Sequence, residues 1–219
     1  MPRKGSLARE FPILVVVALL VSLFIKTFLV QFFYIPSGSM ENTLQINDRV
    51  AVNKVPFISD TIKRGDVVVF RDPAGWLPEA AGISGNKVTV KVKEVFVALG
   101  VLPNPAKQYL VKRVIGVAGD KIICCDKNKG LTINGKPTSE PYIFAGNTPS
   151  ETEFNVTVPE GKIWVMGDHR GASADSRYHQ EDINKGFVPL DKVTGRVVGI
   201  IWPFKNASFV PSQDPIAKK

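Results

Sequence analysis

Tyr109-Leu110-Val111-Lys112-Arg113-Val114-Ile115 is the stretch on which the fold turns. Branched and aromatic residues in a short run favour a strand. Its period of two sets Leu110, Lys112 and Val114 on one face, so a lysine between two apolar neighbours is placed for burial. The segments on either side read the same way. Residues 48–54 alternate apolar and polar, and Gly65-Asp66 turns the chain into the apolar run 67–70, which Asp72-Pro73-Ala74-Gly75 ends. Further on, Gly119-Asp120 leads into 121–125, and Leu131-Thr132-Ile133 runs into Asn134-Gly135, a strong hairpin signal. Residues 154–158 and 162–166 follow, and 195–201 is the last expected strand. Many short strands between Gly, Pro and Asn turns predict a mainly β chain: an all-β domain, either a barrel or packed sheets. Residues 76–107, with several Pro and Gly, read as an insertion holding a short helix near 93–99 or a strand at 88–92. The tail, 211–219, reads as disordered.

The N-terminal region differs in kind. Residues 11–25 carry no charge, and 11–35 hold only Lys26. About 20 mostly apolar residues cross a bilayer core. Residues 11–32 are therefore expected to form one transmembrane helix, with Lys26 near the outer interface and Phe28, Phe32, Phe33 and Tyr34 as its aromatic belt. Arg3, Lys4 and Arg9 precede it, which places residues 1–10 in the cytoplasm and 33–210 outside it. Bulky Phe32-Phe33-Tyr34 stands where a cleaved leader would carry small residues, so the segment reads as an uncleaved signal anchor in the cell membrane.

Composition narrows the chemistry. The chain has 219 residues and a formal net charge of +8, from 28 basic and 20 acidic side chains. The basic residues are scattered, which argues against nucleic acid and suits a domain tethered beside anionic phospholipid. The two cysteines, Cys124 and Cys125, are adjacent, and His169 and His179 are the only histidines. No metal-ligand spacing results, so neither a metal nor a cofactor is expected. Neighbours on a strand point to opposite faces, which would bury one thiol and expose the other; a disulfide between them would be strained.

Directly after the apolar segment comes Tyr34-Ile35-Pro36-Ser37-Gly38-Ser39-Met40. Pro36 fixes one backbone angle and Gly38 relaxes others, which presents the hydroxyl of Ser39 on a bent, extended backbone. An ordinary turn between two elements has the same composition. A serine nucleophile needs a base. Lys112 can serve if burial leaves its amine neutral, whereas a lysine that snorkels out of the sheet cannot. His169 or His179 is the rival base; adjacent Asp168 and His169 are poorly placed to orient each other, so a more distant aspartate would have to serve. The polar run 168–180 is either a loop pinned by Asp175–Arg177 or Asp168–Arg170 contacts, or one that supports a site from behind.

Taken together these residues resemble the bacterial type I signal peptidases, membrane-bound serine–lysine endopeptidases. Four ordered blocks carry the resemblance: Pro36-Ser37-Gly38-Ser39-Met40 with Thr43-Leu44; Asp48-Arg49-Val50-Ala51-Val52; Lys112-Arg113-Val114-Ile115-Gly116 with Gly119-Asp120; and Gly167-Asp168-His169-Arg170 through Ser173 and Asp175-Ser176-Arg177. The resemblance implies Ser39 as nucleophile and Lys112 as general base. It implies an oxyanion hole from the Ser39 N–H and the Ser37 hydroxyl, Ser173 orienting the lysine amine, and an Asp175–Arg177 ion pair. Ile35, Pro36, Met40 and Leu44 would line shallow substrate pockets. The implied reaction is removal of signal peptides from exported preproteins after small residues, of the Ala-x-Ala type, with no cofactor; oligomeric state stays open. The chain departs from the pattern at Asn47, where the family often has Gly, and at His169, Gly171, Ala172 and His179-Gln180. The rival readings are a Ser–His hydrolase, a non-enzymatic surface module on a signal anchor, and a soluble serine–lysine self-cleaving repressor, against which the apolar segment argues.

Overall fold

The structure, a computed structural model, describes residues 7–24, 29–54, 62–78, 108–126 and 130–216. Helix α1 (Leu7–Phe24) leads, and twelve strands follow among the described residues. They are β1 (Val30–Tyr34), β2 (Arg49–Asn53), β3 (Val67–Arg71), β4 (Tyr109–Gly116), β5 (Lys121–Asp126), β6 (Gly130–Ile133), β7 (Lys136–Pro137), β8 (Phe154–Thr157), β9 (Lys162–Met166), β10 (Val188–Pro189), β11 (Val193–Trp202) and β12 (Ser208–Phe209). They form two antiparallel sheets. The larger runs β1-β2-β11-β3-β4-β9-β10 with β12 on β11, and the smaller runs β7-β6-β5-β8.

Burial explains the order. Val67, Val68, Val69 and Phe70 are all buried because β3 lies between β11 and β4 with both faces covered. One face packs Val67 and Val69 with Val50, Val52 and Val197; the other packs Val68 and Phe70 with Leu110, Val114 and Val165. A third cluster around Trp164, Ile115, Ile122 and Ile133 joins the smaller sheet to the larger. The β6–β7 hairpin turns at Asn134 and Gly135, with φ of +52° and +76°, the paired left-handed conformation such turns need.

Four expectations change. The described helix is Leu7–Phe24, and the expected span to residue 32 is overturned at its far end, where Val30–Tyr34 is a strand paired with β2, Phe33 opposite Val50. The period of two is visible there, since Phe33 packs edge-on against Tyr109 while Phe32 and Tyr34 face outward. Among the described residues no helix is long and apolar enough to cross a membrane. Lys26 and Phe28 lie outside the described residues.

The second change is the tail. Val210 is buried, the Gln213 N–H donates to the Gly65 carbonyl, and Arg64 pairs with both Asp120 and Asp214, which fixes the chain as far as Ile216. The third is the cysteine pair, which forms a disulfide. A register shift in β5 between Ile123 and Asp126 breaks the period of two, and both residues pack on the same cluster. The fourth concerns the polar loop, where Asp168 pairs with Arg113 and Arg170 with Glu140. Of the 76–107 segment only its start is described. There Asp72 accepts the N–H groups of Ala74, Gly75, Trp76 and Leu77, and Trp76 Nε1 donates to Asp182. The helix expected near 93–99 and the strand at 88–92 fall outside the described residues.

Candidate active site

The loop between β1 and β2 is closed at its base by two hydrogen bonds: Ile35 N–H to the Asp48 carbonyl and Asn47 N–H to the Ile35 carbonyl, each 2.9 Å. Inside it the backbone makes a helical turn, with Glu41 N–H donating to Gly38 O at 3.0 Å and Leu44 N–H to Met40 O at 2.8 Å. Asn47 has φ of +74°, a left-handed position that asparagine tolerates and glycine occupies freely. That accounts for asparagine where the resembled family often has glycine. Ile35, Met40 and Leu44 are at most 2% exposed and sit among Val50, Val52 and Val69. They are the floor beneath this turn, whereas Pro36 and Ser37 are exposed.

Ser39 is held on the top of the turn, and the next strand face supplies its partner. Lys112 lies opposite Val68 in the β3–β4 ladder and is 4% exposed. Its Nζ is 2.6 Å from Ser39 Oγ. The snorkelling alternative fails because the side chain runs inward under the nucleophile turn. Burial lowers the amine's pKa from 10.5 to about 8; Asp175 and Asp168 oppose that fall and Arg177 assists it. About one amine in ten is then neutral at pH 7, and half at pH 8. Among the described residues, the Ser39 N–H and the Ser37 hydroxyl have no hydrogen-bond partner.

The polar loop after β9 closes the site from behind. Asp175 is fully buried and collects donors: Gly167 N–H at 2.9 Å, Ser173 Oγ at 2.7 Å, and Arg177 through Nε at 2.8 Å and Nη2 at 2.9 Å. Ser173 gives its one proton to Asp175, and among the described residues the Lys112 amine bonds to Ser39 and not to Ser173. Gly167 lies where a methyl group would overlap Ser173 Oγ and the Ser39 carbonyl, so the loop meets the nucleophile turn backbone to backbone.

Three residues outside the expected set complete the frame. Arg113 grips Asp168 through Nε at 2.8 Å and Nη2 at 2.7 Å, and donates to the Gly65 carbonyl and to Thr43 Oγ1. Thr43 Oγ1 donates to Asp168 Oδ2. This buried clamp ties the nucleophile turn to β4 and to the 167–169 loop. Both arginine and aspartate were visible within the sequence blocks, but no local pattern couples residues 55 apart.

Neither histidine ring turns to Ser39 Oγ. The His169 ring is bonded to Glu41, and its backbone N–H donates to the Ser39 carbonyl at 3.2 Å. The His179 ring stacks on Trp76 at 4.4 Å, where burial lowers its pKa. A Ser–His pair therefore lacks its central contact.

The sequence model described as "Signal peptidase, peptidase S26" matches residues 8–202. A protein of Mycobacterium tuberculosis named "Signal peptidase I" is 37% identical, covering 98% of this chain and 79% of its own length. One of Bacillus caldolyticus with the same name is 30% identical, covering 94% of this chain and 97% of its own. A solved signal peptidase I from Enterococcus faecalis, 26% identical, covers 62% of this chain and 96% of its own with a TM-score of 0.38, too low for the fold to be argued from it. The family match spans the nucleophile turn, the lysine strand and the polar loop alike, and the chain belongs to the signal peptidase family, peptidase S26.

Proposed function

We propose that Ser39 is the nucleophile and Lys112 the general base of this signal peptidase. As a member of its family the chain is a serine endopeptidase that cleaves signal peptides. One observation carries the residue assignment: a buried amine, its pKa lowered to about 8, 2.6 Å from a serine hydroxyl. The neutral amine takes the Ser39 proton as Oγ attacks the scissile carbonyl. The Ser39 N–H and the Ser37 hydroxyl receive the oxyanion. Lys112 returns the proton to the departing amine, leaving an ester on Ser39. Water, deprotonated by the same lysine, then releases the signal peptide and restores the hydroxyl. Ser173, Asp175 and Arg177 hold the loop that packs on Lys112 from behind. Ile35, Met40 and Leu44 set the depth of the substrate cleft from below, with Pro36 at its rim.

Purified protein in detergent should cut a model preprotein after a small residue, and Ser39→Ala should not cut it. Small side chains should be required at the first and third positions before the cut. One methylene in an apolar pocket is worth about 1–3 kcal/mol, so a bulky residue should lose far more. Efficient cleavage after Phe or Leu at the first position would sink the cleft assignment.

The chain works at a phospholipid membrane, with α1 and the adjoining apolar residues as its anchor. The described side chains of α1 from Phe11 to Val21 are exposed and mostly apolar. Exposed aromatics gather on and just after the edge strands β1 and β12 and the end of β11: Phe32, Tyr34, Trp202, Phe204 and Phe209. Such side chains suit the headgroup region. With Arg3, Lys4 and Arg9 held in the cytoplasm, a reporter fused after residue 219 should read out on the extracytoplasmic side. A cytoplasmic signal would overturn the topology while leaving the chemistry intact.

A further inference from the structure

His169 stands where the resembled family commonly has asparagine, and its surroundings show what it contacts. Its Nδ1 lies 2.9 Å from Glu41 Oε2. Its ring stacks on Phe144 at 4.1 Å with 17° between planes. Its backbone N–H reaches the Ser39 carbonyl. Glu41 in turn closes over the nucleophile turn. Its N–H donates to Gly38 O, and its carboxylate packs on Gly38 so closely that a methyl there would stand 2.9 Å from Glu41 Cδ. A second tie lies one residue on, where Asn42 Nδ2 donates to the Tyr142 carbonyl at 3.0 Å.

A surface ion pair contributes little when both side chains are solvated and unbraced. Here both side chains are braced: the Glu41 carboxylate packs over Gly38 and the His169 ring stacks on Phe144, while the backbone N–H groups of the same two residues bond to Gly38 and Ser39. We infer that Glu41 and His169 are positioning residues for this reaction: together they latch the Gly38-Ser39 backbone at a partly exposed pair, beside the buried Arg113–Asp168 clamp. The latch keeps Ser39 Oγ within reach of Lys112 and keeps the Ser39 N–H aimed at the oxyanion. A neutral imidazole protonated at Nδ1 donates to Glu41 as an imidazolium does, so the latch holds in both charge states.

The inference rests on Ser39 and Lys112 being the reacting pair. The test uses the full chain in detergent and measures kcat and KM on a preprotein, with the rate of Ser39 acylation by a serine-directed inhibitor. A displacement of about 1 Å costs up to about a hundredfold in rate, so partial loosening should cost about tenfold. Glu41→Ala and His169→Ala are each expected to lower kcat and acylation about tenfold, with KM within twofold. The double variant should be no slower than either single, because one latch is lost in all three. His169→Asn, which can still donate to Glu41, should keep at least half of kcat. The thermal midpoint should barely move, and the acid limb of the rate profile should stay in place. Single variants within twofold of the parent would overturn the latch, as would losses that multiply in the double variant or that track a fall in thermal midpoint. If Ser39→Ala or Lys112→Ala retains turnover, the underlying assignment has failed instead.

Discussion

Lys112→Arg should be as inactive as Lys112→Ala. Arginine keeps the charge and much of the length but does not release its proton in this range. General-base catalysis contributes about 10²–10⁴-fold, so turnover should fall by about that factor or more. The protein should still fold, because Lys112 already carries its charge for much of the time at pH 7 in the same buried place. Folded, stable Lys112→Arg that still cleaves a preprotein at a substantial rate would remove the lysine from the mechanism. Neither histidine could then inherit the role without turning its ring from the partner it now holds, Glu41 for His169 and Trp76 for His179.

Asp175→Ala carries the second large effect. The substitution leaves the guanidinium of Arg177, 2% exposed, without its carboxylate. Removing one partner of a buried pair costs about 3–5 kcal/mol. At roughly 2–4 °C per kcal/mol for a chain of this size, the thermal midpoint should fall by about 10 °C. Activity should fall with it, since Gly167 N–H and Ser173 Oγ lose the same acceptor. The sign of the pH effect is fixed as well. Asp175 raises the Lys112 pKa and Arg177 lowers it, so losing the carboxylate should move the acid limb of activity to lower pH. Differential scanning calorimetry and a pH–rate profile check both parts. A variant with normal stability and no activity would make Asp175 a group that acts on substrate directly.

These predictions combine features that the sequence carried locally with others that it could not. The alternation of 109–115 places Lys112 on the face of Leu110 and Val114, and the strand it predicts is β4. The Asn134-Gly135 turn is equally local. Residues 30–34 were not so readable. A short apolar run beside a longer one fits helix or strand, and only pairing with β2 decides it. Distance hid the Arg113–Asp168 clamp, since a buried ion pair leaves no trace in spacing. It also hid the docking of the tail, which depends on Arg64 meeting Asp214, 150 residues on. That the Ser173 hydroxyl donates to Asp175 is likewise a matter of geometry that spacing does not reveal. The departure at His169 was legible as a letter, but its contact with Glu41 on the catalytic turn was not.

The most direct measurement is the pH dependence of Ser39 acylation by a serine-directed inhibitor, followed by intact mass. It is made in the parent and in His169→Asn and His179→Asn. Acylation needs the neutral amine, so its rate should be low below the lysine pKa and rise as pH increases through it. The account predicts an acid limb with a midpoint of about 8 in all three proteins, with the label on Ser39. A limb that disappears with either histidine, or a label on another residue, would contradict it.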